Sequence, residues 1–311
     1  MSAIITVSNL VKRYKKAENN AIDGVSFEVE EGEFFSLLGP NGAGKTTTIS
    51  ILTTTLSKTS GEASVAGYDL DTQAADVRRR VGIIFQNPSL DQNLTAEENI
   101  RMHAVLYGME SFAPTFKGMT EGYKKRVYEL AEILNLKKEI FKPIKTFSGG
   151  MKRKLEIIRS LMHHPKVLFL DEPTVGLDPM ARASLWEYLK DVRKQEKTTV
   201  FLTTHYLDEV EDCDRVCIIN KGKVVKLGTP YSIKHDLTTE YIVVDADDRL
   251  KLRIEVEAIG LKLSEEGPFH IHLNGHTSQQ VIQAIHVPLS VLRIHSPSLE
   301  EAYLNIVEEK Q

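Results

Sequence analysis

Cysteine is nearly missing from this chain of 311 residues: there are two, Cys213 and Cys217, in the stretch EDCDRVCIIN. With no second thiol pair to complete a zinc site, they are expected to pack as small apolar residues where a helix hands over to a strand at 216–219. So few thiols fit a reducing cytoplasm. Long apolar runs are lacking too, and none approaches the roughly 20 residues that a membrane helix needs. The opening MSAIITVSNLVKRY has no basic segment ahead of a long apolar core, so no signal peptide is expected. Positive charge is not in excess: 39 Lys and Arg stand against 43 Asp and Glu, a net charge of −4. That balance supplies no basic field for nucleic acid. Internal repeats and low-complexity tracts are also absent. What remains, 41% hydrophobic and 26% charged, is the composition of an ordinary globular protein. The length suits two domains, or one with an appendage, and a full core without disulfides or metals.

Strands are expected at 25–29, 34–38, 81–85, 167–170, 199–203 and 216–219, with helices from Lys45, over 151–162 and over 180–194. Buried strands alternating with helices point to an α/β domain with a largely parallel sheet. Residues 87–146 are mostly helical in pattern and form a helical insertion in that domain. The first pattern ends near Thr229 and Pro230. A second begins at Tyr241: a strand over 241–246, an ambiguous stretch to Gly260, a strand over 269–274, a helix over 278–285, a strand over 290–295 and a helix over 298–307. This reads as a small C-terminal α+β domain.

The sharpest motif is Gly39, Pro40, Asn41, Gly42, Ala43, Gly44, Lys45 and Thr46, which matches G-x(4)-G-K-[ST]. Its glycines let backbone N–H groups converge on one point, and the helix that follows directs its positive end there. Lys45 adds a charge for β- and γ-phosphates, and the Thr46 hydroxyl suits Mg²⁺. This is a nucleotide site. Asn220, Lys221, Gly222 and Lys223 lack the carboxylate of a guanine-reading element and fit a hairpin turn, so GTP is disfavoured.

A second half follows. Residues 167–170 form an apolar strand that ends in Asp171, suited to Mg²⁺, and Glu172, suited to activate a water as general base. Thr146, Phe147, Ser148, Gly149, Gly150 and Met151 precede a helical run; taken alone, Ser-Gly-Gly reads as an N-cap, and such a helix start also offers an anion-binding site. Gly176, Leu177, Asp178 and Pro179 come next, then Thr204 and His205. In this order the chain over residues 4–232 resembles the nucleotide-binding subunit of an ABC transporter, a P-loop NTPase. The stretch 147–151 resembles the LSGGQ signature with Phe for Leu and Met for Gln; Ser148, Gly149 and Gly150 are intact.

The resemblance implies a head-to-tail pair of copies, with each ATP held between the phosphate loop of one and the signature of the other. By position, Tyr14 would stack on adenine, while Lys45, Thr46 and Thr47 would hold phosphates and Mg²⁺. Gln86 would stand near Mg²⁺ and the lytic water. Ser148, Gly149 and Gly150 would reach the partner's nucleotide, Asp178 would lie in the loop that crosses the pair, and His205 would contact the γ-phosphate. It further implies ATP hydrolysis coupled to a separate membrane permease, contacted through 87–109, at the cytoplasmic face of the membrane. The region 240–311, through Ser298, Leu299, Glu300, Glu301, Ala302 and Tyr303, resembles the C-terminal extension of drug-export ATPases of the daunorubicin-resistance type. A dimer-contact or regulatory role is expected for it. His270, His272, His276, His286 and His295 crowd there without a completing carboxylate or thiol, so packing or solvated roles are expected. An importer subunit and a non-transport ABC ATPase of translation or DNA maintenance are the competing readings. The cargo is not legible.

Overall fold

The computed structural model describes residues 2–86, 89–237, 241–264, 267–295, 298–301 and 303. Contacts divide the chain into two compact units, Met1–Thr229 and Pro230–Gln311.

The first unit opens with strands β1 (Ala3–Lys12), β2 (Ile22–Glu30) and β3 (Phe34–Leu38), then helix α1 (Lys45–Leu52). Strands β4 (Ser60–Val65) and β5 (Tyr68–Asp69), helix α2 (Ala74–Arg80) and strand β6 (Val81–Ile84) follow. Three helices come next, α3 (Ala96–Leu106), α4 (Glu121–Ile133) and α5 (Gly149–Leu161). Strand β7 (Val167–Asp171), helix α6 (Pro179–Glu196) and strands β8 (Thr199–Thr204), β9 (Arg215–Asn220) and β10 (Lys223–Gly228) complete the unit.

Two sheets result, and their burial explains their composition. The six-stranded sheet runs β10-β9-β3-β8-β7-β6, parallel except for the edge hairpin partner β10. Every residue of β3, β7 and β8 is buried, hence their unbroken apolar runs. The other sheet, β2-β1-β4-β5, is antiparallel, and β2 alternates buried and open positions as a one-sided strand does. Phe27 of β2 stacks on Phe35 of β3 at 5.4 Å, and Phe35 in turn on Phe201 of β8 at 5.3 Å, so aromatic rings lock the two sheets face to face. The β9–β10 turn is Lys221–Gly222, both at positive φ, the geometry of a tight hairpin.

The insertion holds α3 and α4 with short 3₁₀ turns at Phe116–Gly118 and Ile144–Thr146; Asn87 and Pro88 lie outside the described residues. Before β9 the expected helix is a single 3₁₀ turn, Asp208–Val210. Cys213 follows it and Cys217 sits in β9; both are free and buried. Burial drives both thiol pKa values up, that of Cys217 to about 12.

The second unit comprises α7 (Pro230–Leu237), β11 (Tyr241–Ala246), α8 (Arg249–Ala258), β12 (Phe269–His272), α9 (Ser278–Ala284) and β13 (Leu289–His295). Its sheet is β12-β11-β13, with β11 antiparallel to both neighbours. Ile242 and Val244 of β11 pack with Leu252 and Val256 of α8, Ile271 of β12 and Val281 of α9, a core of its own. Tyr241 stacks on His270 at 5.0 Å and on His295 at 4.3 Å. Of the expected helix over 298–307, Ala302 and residues 304–307 lie outside the described residues. Among the described residues no helix is long and apolar enough to cross a membrane.

Candidate active site

Strand β3 ends at Leu38, and the loop 39–44 carries the chain into α1. Gly44 takes φ 109° immediately before that helix, a conformation open to glycine alone, and a Cβ there would stand 2.6 Å from the Ala21 carbonyl oxygen. A Cβ on Gly39 would meet the Ile219 carbonyl at 2.4 Å, so the loop is threaded tightly against β9 and the segment before β2. No acidic side chain stands in the first turn of α1, and no side chain caps it. Its N–H groups and positive end therefore stay available to an anion.

Lys45 is buried. Its ammonium donates to the carbonyls of Gly39 (2.8 Å) and Pro40 (3.3 Å) and pairs with Glu172 Oε1 at 3.3 Å. Strand β7 delivers two carboxylates. Asp171 Oδ1 accepts hydrogen bonds from the hydroxyls of Thr46 (3.2 Å) and of Thr203 on β8 (2.6 Å). Glu172 Oε2 accepts from Gln86 Nε2 at 3.3 Å, and Oε1 lies 3.3 Å from His205 Nδ1. Strand ends from β6, β7 and β8 thus bring Gln86, Glu172 and His205 together at the carboxyl edge of the parallel strands, opposite the mouth of the phosphate loop. Ligands of open α/β sheets bind at that edge.

These side chains line a cavity of about 530 Å³ with Asn41, Gly42, Gly44, Thr46 and Thr47. Asp171 stands behind it through Thr46, and Tyr14, half exposed, reaches Thr47 Oγ1 at 3.2 Å through its hydroxyl. The backbone of Gly39, Pro40 and Ala43 supports the loop without lining the cavity. Ala21, Val175 and Tyr206 line it too, although no motif marks them; Tyr206 lies with its ring centroid 4.1 Å from that of His205. Thr203 is a further residue without a motif, legible only once β8 is paired with β7.

Ser148, Gly149, Gly150 and Asp178 do not line this cavity. Ser148 caps α5, accepting from the Met151 N–H at 3.3 Å, and Asp178 caps α6, accepting from Ala181 at 2.9 Å. The two helix starts are adjacent: Cβ atoms built on Gly149 and Gly150 would stand 3.8 Å from Leu177 and 3.3 Å from Ala181. Phe147, the departure from the usual signature, is buried at the foot of α5.

The donors in and just behind the cavity are hard oxygens: a hydroxyl on Thr46 and a carboxamide on Gln86 in its lining, and the carboxylate of Asp171 behind Thr46. Thr46 Oγ1 and Asp171 Oδ1 are already adjacent, as oxygens that share one small cation must be. This donor set fits a divalent ion of the Mg²⁺ kind.

Known proteins give the same picture. The ABC transporter family model matches residues 22–175. The linearmycin resistance ATP-binding protein LnrL of Bacillus subtilis is 33% identical over 97% of this chain and 98% of its own. The Nod factor export ATP-binding protein I of Ralstonia nicotianae is 36% identical over 85% of this chain and 79% of its own. Among solved structures, a dimeric ATP-binding cassette bound to ADP and Pi superposes with a TM-score of 0.63 at 26% identity, covering 72% of this chain and 98% of that one. With the phosphate loop, the two-carboxylate strand and the histidine around one cavity, and with a relative matched over 98% of its length, the chain belongs to the ABC transporter family, as an ATP-hydrolysing ATP-binding subunit.

Proposed function

We propose that two copies of this ABC ATPase close around two ATP molecules and drive export through a separate membrane permease, to which they bind at the cytoplasmic face. What carries this reading is the convergence of Lys45, Gln86 and His205 on Glu172, each at 3.3 Å, beside the phosphate loop.

In this reading the backbone N–H groups of residues 41–47 and the Lys45 ammonium hold the phosphates of ATP, and Tyr14 stacks on its adenine. Thr46, Asp171 and Gln86 hold Mg²⁺, which when bound neutralises charge on the phosphates. Glu172 takes the proton of the attacking water as general base, Gln86 orients that water, and His205 contacts the γ-phosphate. Ser148, Gly149, Gly150 and Asp178 lie outside their own cavity and serve the nucleotide of the partner copy. Each copy alone is then an incomplete catalyst.

Export is supported by the relatives, which are named for linearmycin resistance and Nod factor export. Permease contact is assigned to the segment 87–109, whose described part exposes Met102 and Leu106 on α3 and Tyr107 just after it. The cassette is read as 4–232, with the domain 240–311 as a dimer-contact or regulatory module. The cargo path belongs to the permease.

The test is Glu172→Gln. It removes the base and keeps the size of the side chain, so ATP binding is expected to persist while hydrolysis falls by about 10²-fold or more. The variant should sediment as a dimer with ATP and as a monomer without it. Hydrolysis at the wild-type rate, or no pairing in ATP, overturns the reading.

A further inference from the structure

Glu172 stands on unusual backbone. Its φ is 46°, the left-handed region, which costs a non-glycine residue about 1–2 kcal/mol and persists only where surrounding bonds hold it. One side of that peptide is held by β8: the Glu172 N–H donates to Thr203, backbone and hydroxyl, at 3.1 Å each. The other side is held from α5, by a residue outside every motif.

Arg153 is buried one turn into α5. Its guanidinium donates Nη2 to the Glu172 carbonyl (3.3 Å), Nε to the Pro173 carbonyl (2.8 Å) and Nη1 to the Phe85 carbonyl (2.7 Å). Phe85 directly precedes Gln86. Arg153 Nη1 also pairs at 3.0 Å with Glu156, only 1% exposed, whose other oxygen accepts the Ser89 N–H at 2.9 Å. Both flanks of the Gln86 segment and the backbone of the carboxylate loop therefore hang on one buried ion pair. Such a pair loses much of its attraction to desolvation, and apolar residues of similar volume stabilise a fold as well. The planar fork does what those residues cannot: it fixes three carbonyls at set directions.

We infer that Arg153, oriented by Glu156, is a positioning residue for ATP hydrolysis, which sets Glu172 and Gln86 against one another and ties both to the helix that begins at Ser148, Gly149 and Gly150. It touches no substrate. A shift of α5, whether from the partner's nucleotide or from the helical insertion, is carried to the base through this guanidinium. The inference rests on the reading of Glu172 and Gln86 proposed above.

The test is made on the full-length chain, with hydrolysis of MgATP followed over a range of ATP concentration and ADP affinity measured by calorimetry. Arg153→Lys keeps the charge and loses the fork. Its kcat is expected to fall by about 10²-fold, the scale of a catalytic group displaced by ~1 Å. KM for ATP and affinity for ADP should stay within about twofold, because the phosphate loop is untouched. Glu156→Gln, which leaves one acceptor for two donors, should show a smaller loss of the same kind. Wild-type kcat in Arg153→Lys, or a loss carried by KM, overturns the inference. Should Arg153→Lys not fold, Glu156→Gln decides by the same two constants; unfolding of both assigns the pair to stability and overturns it as well. Glu172→Gln, assayed alongside, separates the two levels. If it hydrolyses ATP at the wild-type rate the underlying reading fails, and if it is inactive while Arg153→Lys is unimpaired only the positioning role fails.

Discussion

His103 on α3 has its Nε2 buried without a hydrogen-bond partner among the described residues, between Tyr107, at 4.2 Å ring to ring, and the neighbourhood of His163. Burial, with the nearby charges of Arg159 and His163, pushes its pKa from 6.5 to about 3, and burial lowers that of His163 as well. The folded chain thus keeps His103 neutral where the unfolded chain would protonate it, so below pH 6.5 the unfolded state binds more protons. The stability tied to this residue is full above pH 6.5 and is lost as the pH falls towards 3, by up to about 1.4 kcal/mol per pH unit. Urea unfolding at pH 7 and pH 5 should show the drop, and His103→Leu should lessen it, leaving the share of His163. Equal slopes in the two proteins would mean that the imidazole is solvated.

At the scale of elements, α3 shows how local chemistry starts a helix. Thr95 accepts the Glu98 N–H while Glu98 accepts the Thr95 N–H, a full capping box. Thr95→Ala is expected to lose about 1 kcal/mol, read as a lowered midpoint in thermal unfolding, with the Km for ATP unchanged. The helical pattern of the insertion, the phosphate-loop motif and the apolar runs of the buried parallel strands were legible, because each is encoded by neighbours in sequence. Helix α8 was not. Its sequence RLKLRIEVEA alternates apolar and charged residues in the period of a strand, yet it is a helix capped by Asp248 that buries Leu252 and Val256 and leaves Leu250 77% and Ile254 68% exposed. The open face of the three-stranded sheet needed a helical cover, and tertiary demand overrode the local pattern. Strands β1, β4 and β10 escaped notice because edge and half-exposed strands mix polar and apolar residues. In the candidate site, the residues that chemistry marks were readable. Tyr206, Thr203 and Arg153 were not, since their significance comes from partners that only folding brings close.

For the molecule as a whole, two units with separate cores set an expectation for calorimetry. Heating should give two transitions, and only that of Met1–Thr229 should move with nucleotide. ATP at a hundredfold excess over its Kd adds about 2.7 kcal/mol to the unit that binds it and nothing to the other. A single transition shifted as one body would show the units to be cooperative. The scarcity of thiols has a practical side. Thiolates, not thiols, attack maleimides, and both native cysteines are shut in the core with their ionisation suppressed. A probe attached through Met180→Cys, at a position 82% open to solvent, would be the lone dye on an otherwise silent background. No cysteine-stripping is needed first, so the Met180→Cys chain would serve as a spectroscopic ruler of whether two copies approach one another when nucleotide binds.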